Sequence, residues 1–441
     1  RQFGVIGGLG MLLCWTLTFL LSPSLTAWLD RGRLRPLDPK AGRLPVMERL
    51  AHGIARTPWP IAGLALVLTL LACGQLRHLN SDDLEHDFSK LRSRQTWVSG
   101  EGYWGQKMDR LLGHQVTPTV ILADTTAQAR TIAQRLREAA RRPPLDARIS
   151  SIVSLDDVLP SEQDRKKAIV ERLRRKLTPR VRAALTAEQQ DKLNRLLGEG
   201  EVQTVSVADL PDGLLTGLRE RDGTVGRTVL VFPRATQNTW YGPDIIQYVD
   251  ELRAVASSVS GVRPARVAGV VPLSADILSS MSRDGPLASL LALAGVILVV
   301  LILFRFSLAT PFVIGSLVVG VAWMLAAIMA LKLRINFINL VAFPITFGIG
   351  VDYAVNVMGR YLKDGRSDVT AAIGATGGAV SLCSATTIIG YSSLLVAQNR
   401  GLFLFGLFAV MGELTCLCTA VIVLPSFLLL YQRWRVRGRR P

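Results

Sequence analysis

Seven stretches of this chain stay apolar for about the 20 residues that a helix needs to cross a hydrocarbon core. They run over Phe3–Leu29, Pro58–Gln75, Pro286–Phe304, Leu308–Leu331, Phe337–Met358, Val369–Val396 and Leu402–Tyr431. Lipid offers no hydrogen bonds, so each stretch must satisfy its own backbone, and an α-helix does so within one segment. The expected fold class is a polytopic α-helical membrane protein with about seven spans. Charged residues make up only 19% of the chain, against roughly a quarter in soluble domains, which agrees.

The net charge of +17 would suit a nucleic-acid binder, but its placement argues otherwise. Lys and Arg in short connections mark the cytoplasmic face. One face carries Arg31, Arg33, Arg35, Lys40, Arg43, Arg49 and Arg56 after the first span, then Arg305, then Arg360, Lys363 and Arg366. The tail adds Arg433, Arg435, Arg437, Arg439 and Arg440. The short connections of the other face hold Lys332, Arg334 and Arg400. The C-terminus is therefore expected in the cytoplasm and the long polar stretch on the far side. The basic excess reads as topology and as attraction to anionic membrane lipids, with no nucleic-acid partner.

All five cysteines lie in the apolar spans, where they read as small buried hydrophobes. The four histidines all lie outside the spans. No metal site is expected. Neither a nucleotide-binding P-loop nor a catalytic triad pattern stands out, so no enzyme activity is expected.

An internal repeat organises the chain. "FGVIGGLGMLLCWTLTFLLSPSL" begins at Phe3 and "FGLFAVMGELTCLCTAVIVLPSF" at Phe405, and at this constant offset Phe, Gly, Cys, Pro and Ser fall in register without a gap. Such parallel repeats occur in transporters. The reading divides the chain into the last helix of a preceding repeat (1–29), a cytoplasmic linker (30–57) and the first helix of a second repeat (58–75). An extracytoplasmic α+β domain (76–285), with a helical insert near 161–197, is followed by a five-helix bundle (286–431) and a basic cytoplasmic tail (432–441). With a chain that opens on Arg1, it also expects an upstream repeat of about 400 residues.

Within the polar stretch, "TPTVILAD" (Thr117–Asp124) alternates like a strand, and the following Thr126–Arg142 carries helical spacing at Ala129, Ile132, Leu136 and Ala139. "ARISSIVSL", "GRTVLVFP" and "ARVAGVVPL" read as further strands, and Pro243–Val259 as a helix with proline at its start. Two strand–helix–strand units suggest a split βαβ domain. "ADILSSMSRDG" leads into the third span and would couple domain and membrane if helical throughout.

The chemistry concentrates in "FGIGVDYAVN" (Phe347–Asn356). An ionisable group at membrane depth costs at least roughly 2.5–3.5 kcal/mol, so Asp352 should face protein and serve a function. At 3.6 residues per turn Gly348, Asp352, Asn356 and Gly359 share a stripe. The glycines are expected to admit a neighbouring helix there. Tyr353 points about 100° away, toward a facing helix. Ser384, Thr386 and Thr387 of the sixth span are expected to supply hydroxyls to Asp352; bonding to their own backbone is the plainer reading. Glu413, in the last span, is a second intramembrane carboxylate: a proton or ion ligand, or an interhelical anchor.

These features resemble the resistance–nodulation–division superfamily, and most closely its MMPL branch of lipid exporters, which overlaps the sterol-sensing-domain fold and includes hopanoid transporters. "GIGVDYA" is similar to that branch's glycine–x–x–x–aspartate–tyrosine signature, carried here by Gly348, Asp352 and Tyr353. "LEHDFSKLRSR" (Leu84–Arg94) is similar to the stretch that opens its exterior domain. The resemblance implies a porter-like exterior domain and a bacterial cytoplasmic-membrane transporter driven by the proton gradient without a cofactor. It implies a lipid or other hydrophobic substrate, an Asp352–Tyr353 proton relay and a twin pair in the missing repeat. Homodimer and homotrimer stay open. The competing readings are multidrug efflux and a membrane sensor or protein-translocation auxiliary. Glu413 and the charged insert match nothing in the family pattern.

Overall fold

The computed structural model describes residues 2–29, 45–78, 80, 83–159, 162–178, 185–197, 203–236, 240–259, 265–363 and 368–437. Most of the expected linker, the end of the basic tail and parts of the charged insert lie outside them. We number the longer helices in chain order. α1 is Gln2–Leu29, α2 Pro45–Arg56, α3 Pro58–Leu76, α4 Glu101–Leu112, α5 Thr126–Ala139, α6 Gln163–Lys176 and α7 Ala187–Leu197. After these come α8 Gly242–Ser257, α9 Val270–Phe304, α10 Ala309–Ala330, α11 Ala342–Lys363, α12 Val369–Ser392, α13 Arg400–Cys418 and α14 Leu424–Arg437. Seven helical runs are long and apolar enough to cross a membrane, the last of them Arg400–Arg435. The chain is a multi-pass integral membrane protein.

The polar stretch folds around four strands: β1 Thr119–Leu122, β2 Ile149–Val153, β3 Thr228–Pro233 and β4 Arg266–Ala268. They pair antiparallel in the order β2-β3-β1-β4, with Val120 facing Leu230 on one side and Ala268 on the other. Each strand–helix–strand unit thus leaves a gap of one strand that the other unit fills. Thr125 caps α5 by accepting from the Gln128 amide, while Gln128 accepts from the Thr125 amide, a capping box that fixes where the helix starts. From there Ile132 and Leu136 reach the sheet and are fully buried with Ile121, Val229, Val231, Ile245, Val249 and Leu252. Each such side chain contributes roughly 1.5–3 kcal/mol on burial. The insert helices α6 and α7 bury no side chain described in them.

One expectation is corrected. "ARVAGVVPL" is strand only to Ala268, and helix α9 begins at Val270. Gly269, at φ 134°, breaks the strand, and Pro272 suits a first helical turn. "ADILSSMSRDG" is helical throughout, as read, and Pro286 lies inside α9, which runs unbroken to Phe304. Its outer end packs Val271, Ala275 and Leu278 into the sheet core, and its inner end packs Val300 and Phe304 into the bundle. The base of the exterior domain is tied to the bundle a second time. Leu84 pairs with Ile335 in the loop after α10, with Glu85 N donating to Ile335 O at 2.7 Å and Ile335 N to Asp83 O at 2.8 Å.

In the bundle α13 is central, packed on α10, α11 and α12. Glycines set its spacing. A methyl group on Gly350 (α11) would lie 2.6 Å from Cys416 Sγ, and one on Gly320 (α10) 3.0 Å from the same atom. One on Gly412 would lie 2.7 Å from Thr346 Oγ1. Beyond α13 the turn Thr419–Val423 widens to a π-helix. Pro425 follows, which lacks an N–H and crowds the carbonyl four residues earlier, and the wider turn relieves that crowding. The repeat counterpart, Pro23, sits in an ordinary α-helix, α1, whose side chains are exposed from Val5 to Leu29.

Gly350→Ala is expected to destabilise the protein by about 1–3 kcal/mol through overpacking. Gly348→Ala, whose methyl meets nothing within 4 Å, is expected to be neutral or stabilising. Thermal unfolding of the detergent-solubilised protein compares them. In the exterior domain Arg130 donates to Asp156 at 2.6 and 2.8 Å, and this hydrogen-bonded guanidinium holds the Asp156 carboxyl below the usual carboxylate range. A depressed value in the folded state means stability that is present above the unfolded value, about 4, and lost as the pH falls through the depressed one. The gap in unfolding temperature between wild type and Arg130→Met is therefore expected to be constant above about pH 5 and to close below about pH 4.

Candidate functional site

α11 has two faces. One carries Thr346, Gly350, Tyr353, Ala354 and Val357, all buried against the bundle. The other carries Asp352 and Asn356, which are exposed. Asn356 Nδ2 donates to the Asp352 carbonyl oxygen at 2.9 Å and to its carboxylate Oδ1 at 3.1 Å, the usual meeting of side chains four residues apart. Asp352 thus lies on an apolar helix with one amide partner.

The buried face holds the second carboxyl. Gly350 lets α13 come close enough for Tyr353, 1% exposed, to donate its hydroxyl hydrogen to Glu413 Oε1, itself 3% exposed. Cys416, one turn further along α13, is buried beside them. Each carboxyl can hold a proton, but the tyrosine hydroxyl meets only Glu413, because Asp352 lies on the opposite face of α11. No group of His, Cys, Asp and Glu among the described residues could hold a metal ion.

The sequence expectations divide here. Asp352 and Asn356 share a face as read, and Tyr353 reaches a facing helix as read. The glycines of that stripe do not bring a helix to Asp352: nothing lies within 4 Å of a methyl placed on Gly348 or Gly359. Periodicity finds a face but not which face packs, and here the bundle took the Gly350 side. The hydroxyls of the sixth span do not meet Asp352 either. Thr386 and Thr387 both donate to the Cys383 carbonyl, at 2.7 and 3.0 Å, and Ser384 is buried with no protein partner for its hydroxyl. The plainer reading holds for the two threonines. Sequence reasoning missed Gly320, Gly350, Gly412 and Cys416. Gly350 was within reach, because it lies three residues before Tyr353 and so on its face.

A model of the MMPL family matches residues 142–441. A putative membrane protein of Methanocaldococcus jannaschii is 23% identical over 159 residues, 35% of this chain and 41% of that protein. The apo-petrobactin exporter of Bacillus anthracis is 26% identical over 252 residues, 51% of this chain and 33% of that one. Among solved structures, the hedgehog release protein Disp from the water bear Hypsibius dujardini is similar at a TM-score of 0.46 and 13% identity, over 89% of this chain and 49% of that chain. The chain spans less than half the length of each.

Tyr353→Phe leaves Glu413 buried without its donor. It is expected to lower stability by about 1–3 kcal/mol, the cost of an unsatisfied buried polar group. Thermal unfolding against wild type measures it.

Proposed function

Because the chain belongs to the MMPL family, we propose that it forms part of a transporter that uses the proton gradient to export a lipid or other hydrophobic or amphiphilic molecule. It acts in a bacterial cytoplasmic membrane with its C-terminus in the cytoplasm. The observation that carries this reading is Asp352, a carboxyl on a membrane-spanning helix, exposed at the side of the bundle and partnered by Asn356. An acid placed there at such cost is an expected site of reversible protonation. The naming of a relative as an exporter supports the direction of transport. The asymmetry of Lys and Arg supports the orientation.

In this reading Asp352 takes up a proton from the exterior side. Neutralising it changes how its helix face meets a second bundle of the same kind, from the same protein or another copy. The uncovered Gly348 and Gly359 leave room for that partner. α9, which is one helix from the sheet domain to the bundle, passes the change outward, where an apolar substrate would move along the exterior domain.

Asp352→Asn in the full-length protein is expected to fold and to reduce proton flux under an imposed pH gradient to the level of protein-free vesicles. The measurement uses a luminal pH dye in proteoliposomes made from native membrane lipid extract, which supplies candidate substrates. Wild-type flux in this variant would sink the mechanism.

A further inference from the structure

Glu413 is the only described Asp or Glu within the bundle whose side chain is turned fully inward. Its surroundings define what it can do. α10 brings no titratable side chain to it. α11 brings Tyr353, with Asp352 on the opposite, outward face. α12 carries Cys383, which is exposed, and Tyr391. α13 itself carries Arg400 at its first residue, more than three turns away, and the thiols Cys416 and Cys418. The π turn carries none. The described contact that compensates the carboxyl is the Tyr353 hydroxyl.

An anchor between two spans needs no charge: Thr, Asn or Gln would hold α11 to α13 without the cost of an ionisable group. A carboxyl in that place gains something that they lack, a proton to take up and give back. Resting on the transport reading above, we propose that Glu413 is a second proton-binding group of the cycle, whose protonation reverses the sense of its hydrogen bond with Tyr353. Ionised, Glu413 accepts from the tyrosine hydroxyl. One proton delivered from solution as hydronium, which leaves as neutral water, then makes it a carboxylic acid, whose own O–H donates to Tyr353 Oη. No other group changes protonation, and the site loses one negative charge. The tyrosine hydrogen is freed to turn toward another acceptor. Tyr353 adjoins Asp352 in the chain, so the reversal takes place on the same helix turn that carries the outer carboxyl. The π turn beginning within two turns of Glu413 gives α13 an irregular segment where such a change can be taken up.

The test uses the full-length protein in the same proteoliposomes, with two readouts: proton flux as a function of pH, and pH-difference infrared spectra of the carboxyl carbonyl stretch. Glu413→Gln keeps the volume and an oxygen for Tyr353 but cannot ionise. It is expected to lower flux by about tenfold or more, to remove one titrating step from the pH profile and to abolish one carboxyl band. Glu413→Asp restores that step in part, and Tyr353→Phe shifts the band. Wild-type rate, pH profile and infrared spectrum in Glu413→Gln would overturn the proposal. Should Glu413→Gln fail to fold, an unshifted carboxyl spectrum in Tyr353→Phe overturns it instead. If Asp352→Asn keeps wild-type flux, the transport reading falls, while the infrared band still decides whether Glu413 exchanges a proton. If Asp352→Asn is inactive and Glu413→Gln is wild type, only the present proposal falls.

Discussion

The bundle depends on how closely α10 and α11 approach α13. Lipid tails are as apolar as leucine, so helices in a bilayer are held by contact and by interhelical hydrogen bonds, not by exclusion from water. Around Cys416 that contact exists because Gly320 and Gly350 carry no side chain, and Gly412 does the same one turn away for Thr346 and Met324. At an ordinary spacing Tyr353 would not reach Glu413, and the carboxyl would stand in the core with its charge unanswered. The polar pair is a consequence of the glycine contacts, and it in turn adds a directional bond to packing that has none.

The two intramembrane carboxyls are solved in opposite ways. Asp352 stays at the side of the bundle with Asn356 from its own helix, and Glu413 is enclosed and answered from another helix. They belong to adjacent helices and are linked through consecutive residues, Asp352 and Tyr353. In the chain, only the peptide bond between Asp352 and Tyr353 separates the residue that carries one carboxyl from the residue that bonds the other. That is the physical basis for treating them together.

Much of this was legible in the sequence. Hydropathy gave the seven spans, because a bilayer imposes one length and one solvent on all of them. The sheet domain was legible through its alternating strands and the helical spacing of Ala129, Ile132 and Leu136, whose signals are local. The β4-to-α9 junction was not, because Val270, Val271 and Leu273 suit strand and helix alike and only Gly269 and Pro272 separate them. The site was legible in its residues and not in its pairings. A stripe through Gly348, Asp352 and Asn356 is real, yet nothing local says whether a bundle packs on it or on Gly350 and Tyr353. The threonines of α12 had two plausible acceptors, and the backbone carbonyl of Cys383 was the nearer one.

The continuity of α9 has a mechanical consequence. A helix of 35 residues is a stiff rod of roughly 50 Å. Tilting its inner end by about 10° sweeps the outer end through roughly 9 Å. Were it the sole attachment, the sheet domain would swing in any direction. The Leu84–Ile335 pairing supplies a second point of support on the loop between α10 and α11. With the Phe88–Phe337 ring contact and the Arg334–Glu85 ion pair beside it, this second support leaves the exterior domain fewer directions in which to swing than the rod alone would allow.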